Sequence, residues 1–213
     1  MCQFQQFRFP SSDGSSSCYA GAWLPPEEPR GVVQIVHGVG EHIGRYETAA
    51  RFLTRQGFLV CGEDHLGHGN TVQDGRYGAF APQNGWKLVV ADIARLRRIQ
   101  GEKHPGVPYF LLGHSMGSFL TRTLLYRYPD SGIRAAVICG TSWQPAPVLR
   151  AGLAMCRLAC QKEGETHTSD SLRELIFGSY NKRVEDPQTP FDWICSDRSV
   201  IDAYVADPLC GFS

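Results

Sequence analysis

Phe110-Leu111-Leu112-Gly113-His114-Ser115-Met116-Gly117-Ser118 is the stretch on which the reading of this chain turns. Its apolar start reads as a buried strand, Gly113 to Gly117 as a sharp turn, and Phe119-Leu120-Thr121-Arg122-Thr123-Leu124-Leu125 as the opening of a helix. This is G-x-S-x-G between a strand and a helix, the context in which such a turn lifts a serine hydroxyl out of a sheet. The turn is so tight that the neighbours of Ser115 must be small, and Gly113 and Gly117 remove the Cβ atoms that would clash. The N–H of Met116 then sits at a helix N-terminus, where it can bind an oxyanion. Ser115 is the candidate nucleophile, with His114 beside it in the turn.

Around that stretch the chain reads as strands alternating with helices. Gln3 to Phe9 and Cys18 to Leu24 are two strands joined by the turn Ser11-Ser12-Asp13-Gly14-Ser15, an antiparallel hairpin at one edge of a sheet. Gly31 to His37 and Phe58 to Cys61 are buried strands, with a helix from Tyr46 to Gln56 between them. Trp86, Val89, Val90, Ile93, Leu96 and Ile99 repeat at helical spacing, predicting a helix from about Asn84, as N-cap, to Lys103. Ile133 to Cys139 is a further strand after the elbow helix, which stops near Tyr128-Pro129. The pattern predicts an α/β fold with a mostly parallel sheet and helices on both faces.

From Trp143 the character changes. The spacing predicts helices over Val148 to Gln161, around Leu172 to Phe177 and over Arg198 to Ala206, but no strong strand. The expected organisation is a core over residues 1–142 and a lid region over 143–213. Apolar positions of that lid, such as Val148, Leu149, Leu153 and Leu158, are expected to pack on the sheet, or else to shape an acyl channel or touch a membrane surface.

Composition narrows the function classes. Lys+Arg and Asp+Glu both number 21, so the formal net charge is zero and nothing favours nucleic acid as a partner. No window approaches the roughly 18 apolar residues of a membrane span, and the N-terminus lacks the apolar core of a secretion signal. The eight cysteines are scattered without a C-x-x-C pair, and Cys61 and Cys139 read as small buried hydrophobes. A reducing, cytoplasmic setting is expected.

Two other strand ends carry chemistry. His37-Gly38-Val39-Gly40-Glu41-His42 leads from a buried strand through Gly44 into a helix; Gly38 and Gly40 let the backbone approach a reacting carbonyl, making Val39 N–H a second oxyanion donor. His37 and His42 are expected to brace this loop by hydrogen bonds. Gly62-Glu63-Asp64-His65-Leu66-Gly67-His68-Gly69 follows another strand, and its two histidines lack the third and fourth ligands of a closed zinc site. A turn stapled by side-chain hydrogen bonds is expected there, with no metal.

Together, His37-Gly38-Val39-Gly40-Glu41-His42, Asp64-His65-Leu66-Gly67-His68-Gly69 and Gly113-His114-Ser115-Met116-Gly117 resemble the monoacylglycerol lipase and lysophospholipase family of α/β-hydrolases. Asp202 to Gly211 resembles the lid region of bacterial members, so the likeness runs from about Val32 to the last residue. It implies hydrolysis of a small acyl ester or lipid, monoacylglycerol-like or lysophospholipid-like. It also implies Ser115 as nucleophile and the N–H groups of Val39 and Met116 as oxyanion hole. Gly113, His114, Gly117, His37, Gly38 and Gly40 would support the elbow and loop, and no cofactor is expected.

In this fold the triad acid and base follow the nucleophile in the chain. Only His167 comes after Ser115, in a polar stretch beside Glu163 and Glu165, and Cys139-Gly140 is followed by Thr141 and Ser142 rather than a carboxylate. The expectation is therefore a chain truncated before the triad acid and base, without the last strands, and inactive or impaired on its own. A non-catalytic binding module, or a fragment of another α/β-hydrolase such as a peptidase or haloperoxidase, is the alternative.

Overall fold

A computed structural model of the chain describes residues 2–164 and 169–212. It divides into two units, Met1–Ser142 and Trp143–Ser213.

The first unit is a six-stranded sheet. Its strands are β1 (Gln3–Pro10), β2 (Ser17–Leu24), β3 (Gly31–Val36), β4 (Phe58–Glu63), β5 (Tyr109–His114) and β6 (Ile133–Cys139), in the order β1-β2-β4-β3-β5-β6. β1 and β2 form the expected antiparallel hairpin, and β2 runs antiparallel to β4. The pairings β3–β4, β3–β5 and β5–β6 are parallel, which makes the sheet mostly parallel. The helices are α1 (Glu47–Arg55), α2 (Gly85–Lys103) and α3 (Met116–Arg127).

The central strands read as continuous apolar runs because both their faces are covered. Side chains alternate across a strand, so Val32 and Val36 join Val89, Val90, Ile93, Leu120 and Leu124 of α2 and α3, while Ile35 joins Ala50 of α1 on the other face. The same alternation sends Leu59 and Cys61 to the α2/α3 face and Val60 to the α1 face. Gln34, the one polar residue of β3, is wholly buried and is satisfied by the Ile93 carbonyl at 3.1 Å and the Tyr109 hydroxyl at 2.7 Å.

Two local expectations, at Asn84 and at Cys139, change. Asn84 does precede α2, but its backbone is left-handed at φ 55° and its side chain makes no capping bond; Asn84 Oδ1 instead accepts from Lys87 Nζ at 2.9 Å. The expected helix over 46–56 is α1, with a separate 3₁₀ turn, Ile43–Tyr46, leading into it. Cys139 is exposed, unlike Cys61, because it lies on the outermost strand of the sheet.

The second unit has no strand among its described residues. It contains α4 (Ala146–Glu163), α5 (Asp170–Phe177) and α6 (Arg198–Ala206). Phe177 and Trp193 stack at 5.7 Å between ring centres, with Tyr180 edge-on to Trp193 at 4.9 Å. α4 has no buried residue, and Val148, Leu149, Leu153 and Leu158 are all more than half exposed. Among the described residues no helix is long and apolar enough to cross a membrane.

Candidate active site

Ser115 sits at the end of β5 and immediately before α3, with φ 52° and ψ −121°. A serine rarely adopts this conformation, and the surrounding structure must enforce it. Its N–H donates to Cys139 O on β6 at 3.0 Å. Its carbonyl accepts from Ser118 N–H at 2.9 Å and from Ser118 Oγ at 2.6 Å. The turn is thus fixed on both sides by sheet and helix, and Ser115 itself is half-buried.

The two elbow glycines are required by close approach. A Cβ on Gly117 would run into Val36 O and lie 2.6 Å from His37 O, because α3 starts directly against the end of β3. A Cβ on Gly113 would lie 2.6 Å from Gly117 O and meet Thr121 Oγ1. Met116 N–H, at the first residue of α3, is one of the helix-end donors with no acceptor inside the helix.

The loop after β3 comes to the same place. A Cβ on Gly38 would lie 3.2 Å from Ser115 Cβ and 2.7 Å from Glu41 Oε1, so loop, Ser115 and a carboxylate converge there. Glu41 is buried, at 4% exposure. Its Oε1 accepts from Gly38 N–H at 2.5 Å and from Tyr46 OH at 2.7 Å, and its Oε2 accepts from Arg45 at 2.5 Å. His114 Nδ1 lies 3.1 Å from the Tyr46 hydroxyl and 3.4 Å from Glu41 Oε1. With the Tyr46 proton committed to Glu41, the phenol oxygen is left to accept from His114 Nδ1–H. Burial alone would raise the Glu41 carboxyl, but the contacts with His114, Tyr46, Arg45 and Gly38 N–H outweigh it and hold Glu41 below the usual carboxylate range. Burial and the facing Glu41 charge push the Tyr46 phenol up.

Beneath the loop lie three buried histidines. His37 Nδ1 is 2.7 Å from Gly38 O and so carries the proton, leaving Nε2 to accept His65 N–H at 3.0 Å. His65 Nε2 lies 3.3 Å from His37 O, its Nδ1 faces the buried Glu63 carboxylate at 3.2 Å, and His68 Nδ1 lies 3.0 Å from Leu66 O. Burial pushes His37 well below the usual imidazole range, with His65 and His68 adding to the shift, and takes His68 down to about 4. His37 and His68 are therefore neutral, and the three rings brace the ends of β3 and β4. His42 Nδ1 accepts Gly44 N–H at 3.2 Å. The β4 loop is stapled by Asp64, whose carboxylate accepts Ile43 N–H and Asn70 N–H, each at 2.8 Å.

The order of the chain left Glu41 inside a motif without a role, and Tyr46 as the start of a helix. The signal for the pair was the four-residue spacing of Glu41 and Arg45 next to an aromatic hydroxyl, but His114 is distant in sequence. His167, the single histidine after Ser115, lies outside the described residues. At the end of β6, Arg122 reaches Thr141 Oγ1 at 3.2 Å and Ser142 O at 3.3 Å, and no carboxylate follows Gly140 directly.

Residues 27–213 match the family model described as serine aminopeptidase, S33. The chain belongs to this family of α/β-hydrolases. It is 30% identical over 187 residues to a monoacylglycerol lipase of Mycolicibacterium smegmatis, a match covering 88% of this chain and 59% of that protein. It is 38% identical over 95 residues to human monoglyceride lipase, covering 45% of this chain and 30% of that protein. A solved carboxyl esterase from Bacillus coagulans, in complex with glycerol, superposes with a TM-score of 0.86 at 33% identity, covering all of this chain and 68% of that one. The chain thus spans less than two thirds of the length of these two curated relatives.

Proposed function

We propose that this family member is a carboxylic ester hydrolase of monoacylglycerol lipase or lysophospholipase type, with Ser115 as nucleophile. The observation that carries the reading is the strained Ser115 backbone, φ 52° and ψ −121°, at a strand-to-helix turn whose glycines admit no side chain. Ser115 Oγ adds to the ester carbonyl and its proton passes to a base. The tetrahedral oxyanion points at the N–H groups of Val39 and Met116, and collapse expels the alcohol with a proton to leave an acyl-serine. Water then adds to the acyl carbon, and the carboxylic acid departs as Ser115 regains its proton.

The names of the relatives support an acyl ester of glycerol as substrate class, and the exposed apolar side chains of α4 support contact of a lid, residues 143–213, with acyl chains or a lipid surface. The eight free cysteines support a reducing compartment. The proposal includes impaired turnover by the 213-residue chain alone, since His167 is the one histidine it offers after Ser115. An oxyanion hole without its base still retains weak catalysis.

A fluorophosphonate probe tests the nucleophile: labelling at Ser115 that Ser115→Ala abolishes is expected, and absence of labelling at millimolar probe overturns the assignment. A short p-nitrophenyl ester tests the impairment separately. Turnover that is both fast and lost in Ser115→Ala would show that the chain supplies its own base.

A further inference from the structure

We infer that Glu41 is the positioning residue of the oxyanion hole, and that Tyr46 and His114 form the brace through which it ties the oxyanion loop to the nucleophile turn. The inference rests on Ser115 acting as nucleophile, as proposed above.

Glu41 Oε1 holds two donors at once. One is Gly38 N–H at 2.5 Å, which fixes the peptide directly before the one that carries Val39 N–H. The other is Tyr46 OH at 2.7 Å, whose oxygen lies 3.1 Å from Nδ1 of His114, the residue preceding Ser115. A single buried oxygen therefore links the loop backbone at Gly38, through Tyr46, to the side chain of His114 on the other side of the reacting centre. The site needs that link because its two donors come from separate segments: Val39 from the loop after β3, Met116 from the first turn of α3. Gly38 admits no side chain between Glu41 and Ser115, so the carboxylate stands close behind the loop rather than at a distance.

A carboxylate so close to a developing oxyanion would oppose it unless its charge were met elsewhere. Arg45 meets it at Oε2, and the two donors on Oε1 complete the shell. Glu41 does not touch substrate; it acts through Gly38, Tyr46 and His114. Gln at this position retains one carbonyl oxygen for Gly38 N–H or Tyr46 OH, whereas Ala leaves the loop peptide without its acceptor.

The test compares the rate at which a fluorophosphonate labels Ser115 in the full chain and in Glu41→Ala, Glu41→Gln and Tyr46→Phe, with melting temperatures measured in parallel. Removing an oxyanion donor costs about a hundredfold or more, so a donor that is misplaced rather than lost should cost about tenfold to a hundredfold. Glu41→Ala is expected to lower the maximal labelling rate by that factor with little change in the probe concentration at half-maximal rate. Glu41→Gln should recover part of the loss, and Tyr46→Phe should show a smaller loss of the same kind while melting close to wild type. Glu41→Ala and Tyr46→Phe labelling within twofold of wild type would overturn the inference while leaving Ser115 as nucleophile intact. So would a Glu41→Gln variant that melts like wild type yet labels no faster than Glu41→Ala. A wild-type chain that labels no faster than Ser115→Ala overturns the proposed function and this inference with it.

Discussion

The rings of His37 and His65 stack 3.9 Å apart at an interplanar angle of 26°, and His37 Nε2 accepts the backbone N–H of His65. A protonated His37 has no lone pair at Nε2 for that bond, and its charge would sit in a site with no exposure to water. The contact joins the end of β3, where the proposed oxyanion loop starts, to the turn after β4. The geometry of the candidate site therefore depends on a neutral imidazole.

Acid should loosen this fold well above the carboxylate range. His37 and His68 titrate lower in the folded chain than in the unfolded one, so the unfolded state binds more protons as pH falls. Their contribution is present above about pH 6.5 and is lost as pH falls toward the folded values. A shift from 6.5 to about 4 at His68 corresponds to about 3 kcal/mol. Glu41, held low, adds to the loss at more acidic pH, and Asp64, raised by burial, opposes it. Urea unfolding at pH 7.5 and pH 5 should show a clear drop at pH 5; equal midpoints would contradict the neutral-histidine reading.

Ser115 should be a stability cost. A non-glycine residue at φ 52° and ψ −121° stores about 1–3 kcal/mol of backbone strain. Glycine relieves that strain but adds freedom to the unfolded chain, so Ser115→Gly should be more stable than Ser115→Ala by about 1 kcal/mol. Chemical denaturation of the two variants measures the difference. A less stable glycine variant would mean that the turn is not strained as described.

Much of the fold was legible because the decisive signals are local. Strand, turn and helix around Ser115 follow from apolar runs and two glycines a few residues apart, and Val32 to Val36 announces a strand covered on both faces. The parts that were not legible depend on what lies across the sheet. Cys139 reads as buried by its own neighbours, yet its exposure is decided by the strand's place in the sheet. Asn84 has the right residue type for a cap, but its left-handed backbone turns the side chain to Lys87. The roles of Glu41 and Tyr46 appear only when β5 brings His114 beside the loop after β3.

Cysteine reactivity should follow that same sheet position. Cys18 and Cys61 are buried, and burial pushes the Cys61 thiol up to about 12. Cys139, Cys156 and Cys160 are exposed. A thiol reagent such as iodoacetamide, applied to the native chain and read by peptide mass spectrometry, should modify the three exposed cysteines well before Cys18 or Cys61. Early modification of Cys61 would place β4 at a surface, against the order of the sheet.

One substitution should have opposite effects at two glycines. In α4, a Cβ on Gly152 meets nothing within 4 Å, so alanine there costs no contact and gains the helix preference of about 0.5–1 kcal/mol. In α3, a Cβ on Gly117 overlaps the carbonyl of Val36 and crowds that of His37. Neither is the end of a flexible side chain; both are backbone at the end of β3, so the whole first turn of α3 must move. The expected cost is at least about 3 kcal/mol, since overpacking against rigid backbone exceeds the usual range for a single methyl group. The movement would also carry Met116 N–H away from Val39, so Gly117→Ala should lose Ser115 labelling even where it remains folded. Denaturation midpoints of Gly152→Ala and Gly117→Ala, measured beside the wild-type chain, give the comparison. Equal midpoints for the two would mean that α3 does not rest on β3 at Gly117, and the elbow would then lack the support assigned to it.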